Sequence, residues 1–234
     1  MTNLRERFEA FIKTVRGFES IDELLKDAHF EGKKRADYLL DDRQIIIEQK
    51  VLEHNPSDKA QKFINRLLKE RGILAYGTHS TDRIFASMPD GDEQKRRMFL
   101  SITKGLEASF ADADKQIRQT RNIFSVPDAV GMFVILNVAA PTLRPDLITW
   151  ALSQVLAKRR DDGTVRYPHI DGVVMISEAH TDISSRGRRG APCYSSPSPH
   201  TKSETRVRAF SESLIHAWAA FNNIPVVRQD TFRI

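Results

Sequence analysis

Apolar residues recur along this chain in two rhythms, steps of three and four and short unbroken runs, and each predicts a different kind of element. Leu4, Phe8, Phe11, Ile12 and Val15 form one stripe of a helix from about residue 2 to 16, with Gly17 as its stop. Ser20 and Glu23 have the spacing of a capping box, which predicts a short helix to about Ala28. Residues 35–40 and 44–52 read as two strands, and the turn formers Asp41 and Asp42 join them into a hairpin. Ser57 opens a helix carrying Phe63, Ile64, Leu67 and Leu68, and Gly72 closes it. Residues 73–90 give a weak pattern, with short strands expected at Ile73–Tyr76 and Arg83–Ala86.

The second half is more regular. Phe99, Ile102, Leu106, Phe110, Ala113, Ile117, Thr120 and Phe124 keep helical spacing throughout, predicting one long helix over about 92–124. Val130–Val138 (VGMFVILNV) is continuously apolar, as a strand covered on both faces must be. A helix over about Pro145–Ala157 leads to a second such strand at Ile170–Ile176, and strand–helix–strand order implies parallel pairing. Residues 182–203 carry Gly, Pro and Ser without periodicity and are expected to be a flexible loop. Val207, Phe210, Leu214, Trp218 and Phe221 mark a last helix, and Pro225–Val227 an edge strand.

Composition narrows the class. The 234 residues can bury a sizeable core, and 40% hydrophobic with 29% charged content is ordinary for a globular chain. No apolar run approaches the roughly 20 residues of a membrane helix, and the mixed N-terminus does not resemble a secretory signal. A single cysteine, Cys193, excludes an internal disulfide, and a cytoplasmic setting is expected. The formal charge of +5 is concentrated: Ser184–Arg208 holds six Lys or Arg against Glu204 and accounts for the whole excess. Such a segment on a neutral body suggests an anionic partner, as against a solvated basic loop.

One strand breaks the hydrophobic rule. Ile45, Ile46 and Ile47 run straight into Glu48, Gln49 and Lys50. The letters alone mean little, since Glu93-Gln94-Lys95 repeats them at the start of the long helix. Alternation puts Glu48 and Lys50 on one strand face, where a buried charge needs a partner or a metal. Asp37, on the neighbouring strand, reaches that face if Leu40 pairs with Arg43 or with Ile45; a three-residue loop turns it away. The two carboxylates then stand roughly 5–8 Å apart at Cβ, which suits one hard cation with metal–oxygen bonds of about 2.1 Å. Two carboxylates, a divalent ion and an ammonium make a site for attacking a phosphodiester. The competing reading is a structural pair on an exposed hairpin, which three successive isoleucines argue against.

Asp37, ten intervening residues, and Glu48-Gln49-Lys50 on a strand with an apolar lead-in resemble the PD-(D/E)xK nuclease superfamily. Ala36 stands where the family's name has proline. The resemblance implies a restriction-endonuclease-like α/β fold: a central mixed sheet with a hairpin core flanked by helices, spanning residues 1–234 as one domain. It implies Mg²⁺ (or Mn²⁺) held by Asp37, Glu48 and the Gln49 backbone carbonyl, with Lys50 assisting the attacking water. Family members often add an acid from the leading helix, for which Glu19 and Glu23 are the candidates.

The expected function is metal-dependent hydrolysis of nucleic acid, DNA in preference to RNA. Arg186, Arg188 and Arg189 of the basic loop, with Arg118 and Arg121 of the long helix, are the candidate phosphate contacts. The alternative is a non-catalytic nucleic-acid-binding protein, or a homodimer or partner subunit docked through residues 182–203. No glycine-rich phosphate loop or dinucleotide fingerprint is present, and neither the scattered histidines nor Cys193 forms a catalytic group.

Overall fold

The structure is a computed structural model that describes residues 3–26, 34–53, 57–74, 81–138, 145–179, 182–183, 189–190 and 192–226. Its elements are α1 (Leu4–Ile12), β1 (Glu19–Ser20), α2 (Ile21–Leu24), β2 (Tyr38–Leu40), β3 (Ile45–Leu52), α3 (Ser57–Glu70), α4 (Thr81–Ala86) and α5 (Gly91–Phe124). There follow β4 (Val130–Asn137), α6 (Pro145–Leu156), β5 (Gly172–Ser177), β6 (Asp182–Ile183), β7 (Arg189–Gly190), β8 (Cys193–Pro197) and α7 (Glu204–Phe221).

Six strands form a mixed sheet in the order β1-β2-β3-β4-β5-β8. The central pairs β3–β4 and β4–β5 are parallel, and the flanking pairs are antiparallel. Every residue of β4 is buried, because each face of the sheet carries helices. Phe133 and Ile135 face a core built with α3–α6, while Met132, Val134 and Leu136 face a second core built with α1 and α7. The chain is thus an α/β structure with a helical layer on each face of its sheet.

The helix ends correct several expectations. The Ser20 side chain makes no capping bond and α2 stops at Leu24, so no capping box forms there. The reciprocal box lies instead at Asn3 and Glu6, where α1 begins. Arg83–Ala86 is helical within α4 rather than a strand; Phe85 alone of that turn is buried, a one-sided pattern a short helix satisfies. Ile73 and Leu74 are not a strand, and Tyr76 lies outside the described residues. Residues 225 and 226 form no edge strand, and Val227 lies outside the described residues.

The expected loop at 182–203 contains an edge strand. Cys193–Pro197 pairs antiparallel with β5, with Tyr194 buried against the core and Pro197 at the strand's end, where a missing amide costs no ladder bond. A short β6–β7 pair precedes it. Arg186 and Arg188 lie outside the described residues, and Arg189 is described only through its backbone pairing with Ile183.

Candidate active site

The β2–β3 hairpin takes the four-residue loop. Leu40 pairs with Ile45 and Tyr38 with Ile47, so one further step brings Asp37 across from Glu48. The turn that sets this register is unusual: Asp41, Asp42 and Arg43 all have positive φ, at 50°, 52° and 66°. Aspartate tolerates that region, but three such residues in a row persist only where neighbours hold them. Arg43 supplies the hold, with a forked pair of hydrogen bonds to Glu19 (2.8 Å from Nη2) and its guanidinium over the Phe124 ring. Glu19, a candidate metal acid on sequence grounds, is therefore a clamp on the turn. Glu23 is exposed in the first turn of α2.

At the other end of the hairpin, Asp37 replaces a backbone partner. Its amide donates to the Ile47 carbonyl at 3.0 Å, and its Oδ2 accepts the Gln49 amide at 2.7 Å. The preceding residue, Ala36, is buried and donates its amide to Thr120 Oγ1 at 2.9 Å. Gln116 donates to the Arg35 carbonyl at 2.8 Å. One stripe of α5 thus fixes the strand that carries Asp37, which is the role Gln116 fills here.

Glu48 is 7% exposed, and its Oε2 is buried without a hydrogen-bond partner among the described residues. Burial raises its pKa first; the nearby Asp37 charge and a hydrogen bond between the two carboxyls raise it further, and Lys50 opposes the shift. Burial likewise raises Asp37, the Gln49 amide opposes it, and Asp22 adds to the rise. Two neighbouring carboxyls in such a site resist double ionisation, and a shared proton or a cation relieves the repulsion.

Lys50 is exposed on the same face, two residues beyond Glu48. Its charge also acts on Asp112 of α5, which is bonded to Lys34 at 2.8 Å. A polar cleft of about 410 Å³ opens here, at the carboxyl end of β3, and Asp22, Asp37, Gln49, Lys50 and Glu53 line it. Asp22 is bonded to Arg35 at 2.8 Å. Asp22, Asp112 and Glu53 were not singled out by sequence reasoning. Asp22 adjoins Glu23 in sequence, but the identity of the acid that turns toward Asp37 depends on how α2 packs.

The proposed phosphate contacts separate. Arg118 is exposed on α5. Arg121 is not available: it donates to the Ala129 carbonyl at 2.7 Å and to Asp171 at 2.7 Å, and touches His169 Nδ1 at 3.2 Å. Arg121 and Asp171 are 14% and 15% exposed, and Asp171 also accepts from the Gly131 amide and Thr201. This is an internal brace between α5, β4, β5 and the entry to α7. Within the basic segment, Arg206 is turned toward Gln44 and the Asp128 carbonyl, and Arg208 pairs with Glu204. The second Glu-Gln-Lys is likewise occupied, with Glu93 on Arg97, Gln94 on Asp90 and Lys95 on Asp82.

Among the described residues, no three His, Cys, Asp or Glu side chains gather into a metal-holding group, and no helix is long and apolar enough to cross a membrane. Compared with family models, curated proteins and solved structures, the chain matches none.

Proposed function

We propose that the protein is a metal-dependent nuclease of the PD-(D/E)xK type, with a restriction-endonuclease-like fold, acting on DNA in preference to RNA. The observation that carries this reading is the pairing of two carboxyls across the hairpin, half-buried Asp37 and buried Glu48, with Glu48 Oε2 left unpartnered among the described residues beside Lys50. An orphaned buried oxygen costs free energy unless something binds it, and a hard divalent cation is the natural occupant of two facing carboxylates.

Asp37 and Glu48 would hold Mg²⁺ or Mn²⁺, together with the Gln49 carbonyl. When bound, the ion supplies positive charge to the phosphate oxygens and lowers the pKa of a water it holds. The chain's own groups have separate tasks. Asp37, fixed by the Gln49 amide, needs no rearrangement to face a ligand. Glu48, when ionised, would supply the second negative charge that such an ion requires. Lys50 orients the attacking water and offsets charge developing on the phosphate. Two acids near the pair are matched, Asp22 by Arg35 and Asp112 by Lys34, which limits their repulsion of an anionic substrate.

The test is incubation of the protein with plasmid and single-stranded DNA in Mg²⁺ or Mn²⁺, beside Asp37→Ala and Lys50→Ala. Cutting that needs the metal and is lost in both variants supports the proposal. Binding without cutting, unaltered by either substitution, leaves a non-catalytic nucleic-acid-binding protein.

A further inference from the structure

The cleft lined by Asp37 and Lys50 extends past them to an end on the α1 face of the sheet, opposite the face that carries Glu48. It is bounded by Arg5 and Glu9 of α1 and by Tyr38 of β2. Arg5 and Lys50 are the two cations among the described residues that line it. Arg5 Nε donates to Glu9 Oε1 at 2.8 Å, and its charge is felt by both Asp37 and Tyr38. Tyr38 is half-buried, lines the cleft, and rests at a tilt against Phe18, with ring centroids 5.6 Å apart.

We infer that this end of the cleft is a subsite for one unpaired nucleotide, with its phosphate on the Arg5 guanidinium and its base against the Tyr38 ring. The inference deepens the nuclease reading and rests on it for the class of ligand. Three features support it. A guanidinium presents a flat fork of donors that matches phosphate oxygens. A positive group beside an aromatic ring is the arrangement that grips single strands, because every base has a face to stack. The whole cleft, at about 410 Å³, falls at the small end of ligand sites, so it can admit a nucleotide unit and is far too small to enclose a duplex.

Glu9 gives the subsite a sensitive test. It lies one helical turn from Arg5 and occupies the fork that a phosphate would take, in an exposed and therefore weak pair. Removing Glu9 frees Arg5, whereas removing Arg5 destroys the subsite. If the two residues only stabilise α1, both substitutions act alike.

The experiment is fluorescence anisotropy of the full chain with a short labelled single strand, and with a blunt duplex of the same sequence, in Ca²⁺ to hold off cleavage. The single strand is expected to bind about tenfold more tightly than the duplex, and Tyr38→Leu to weaken it about tenfold while Tyr38→Phe leaves it unchanged. Arg5→Gln weakens binding about tenfold. Glu9→Gln tightens it about threefold, and that gain disappears in the Arg5→Gln background. Equal affinity for strand and duplex, or Arg5→Gln and Glu9→Gln shifting affinity in the same direction, overturns the inference. Cleavage of the same oligonucleotides in Mg²⁺ is scored separately. Strand binding that depends on Arg5 and Tyr38 without any cutting keeps the subsite and removes the nuclease reading. Cutting with affinities unmoved by these variants does the reverse.

Discussion

Asp37 Oδ2 accepts the amide of Gln49 at 2.7 Å, so the aspartate is tied to the strand that carries the glutamate it faces. A side chain takes the place of a backbone partner just where β2 begins, and the carboxylate lies across the hairpin from Glu48. Position and electrostatic stress therefore come from one contact.

The stress makes stability depend on pH in a definite direction. Both folded pKa values lie above the ordinary 3.8 and 4.5, chiefly through burial. A carboxyl raised on folding contributes stability that is complete below its unfolded value and is lost as pH rises through its folded one. Without divalent ions, denaturant melts should show the protein less stable at about pH 8 than at about pH 5, by on the order of 2 kcal/mol. Glu48→Gln should flatten that slope. A wild-type protein whose stability rises over the same window would contradict the shared-proton picture.

Metal should reverse the trend. In the nuclease reading, Mg²⁺ or Mn²⁺ bound to the ionised pair should stabilise the folded state by about 2.7 kcal/mol at a hundredfold excess over Kd. The gain in Tm should be larger at alkaline than at acidic pH, because the ion displaces a proton. It should be absent from Asp37→Asn. An equal metal-induced shift in that variant would place the ion elsewhere.

Lys50 is exposed, and the buried carboxyl nearest it, Glu48, has a raised pKa and so depends little on its charge. Lys50→Met should therefore fold as stably as the parent, within about 0.5 kcal/mol, and in the nuclease reading should lose cleavage by roughly two orders of magnitude or more. Plasmid nicking in Mg²⁺, paired with a denaturant melt, measures both. Full activity in the variant would remove Lys50 from the chemistry.

Arg121 predicts the opposite behaviour. Truncating it to alanine strands Asp171 in a pocket where that carboxylate is 15% exposed. The cost should be about 3 kcal/mol in a urea melt, with little change in nucleic-acid affinity below the melting range. Loss of affinity at unchanged stability would return Arg121 to the binding surface.

Gly17 tests the turn that sets the register. Its φ is +67°, and a Cβ there would lie 2.8 Å from the amide nitrogens of both Asp41 and Asp42. Gly17→Ala should destabilise the protein by about 2 kcal/mol, read as a lowered urea midpoint. In the nuclease reading it should also impair cleavage, through displacement of Asp37.

Elements with long or uninterrupted patterns were legible in the chain. The apolar steps from Phe99 to Phe124 anticipated α5 to within a residue, since a helix of 34 residues repeats its signal many times. The unbroken run at Val130 anticipated β4. Short elements were not legible. Arg83–Ala86 offers too few apolar positions to tell a helix from a strand, and Cys193–Pro197 carries the Ser and Pro of a loop, yet an edge strand pairs on one side only and tolerates both.

The sequence by itself determined that charge interrupts a buried strand, and that Asp37 is the acid able to answer Glu48. Strand alternation is local and sufficient for that much. Only the tertiary structure decided between the two registers, because the choice rests on a turn held by Gly17, Glu19 and Phe124, contributed by two other parts of the chain. It also decided which charges surround the pair. Arg5, Asp22 and Asp112 reach it, while Arg121 is spent on Asp171, since side chains distant in sequence meet only where packed helices bring them.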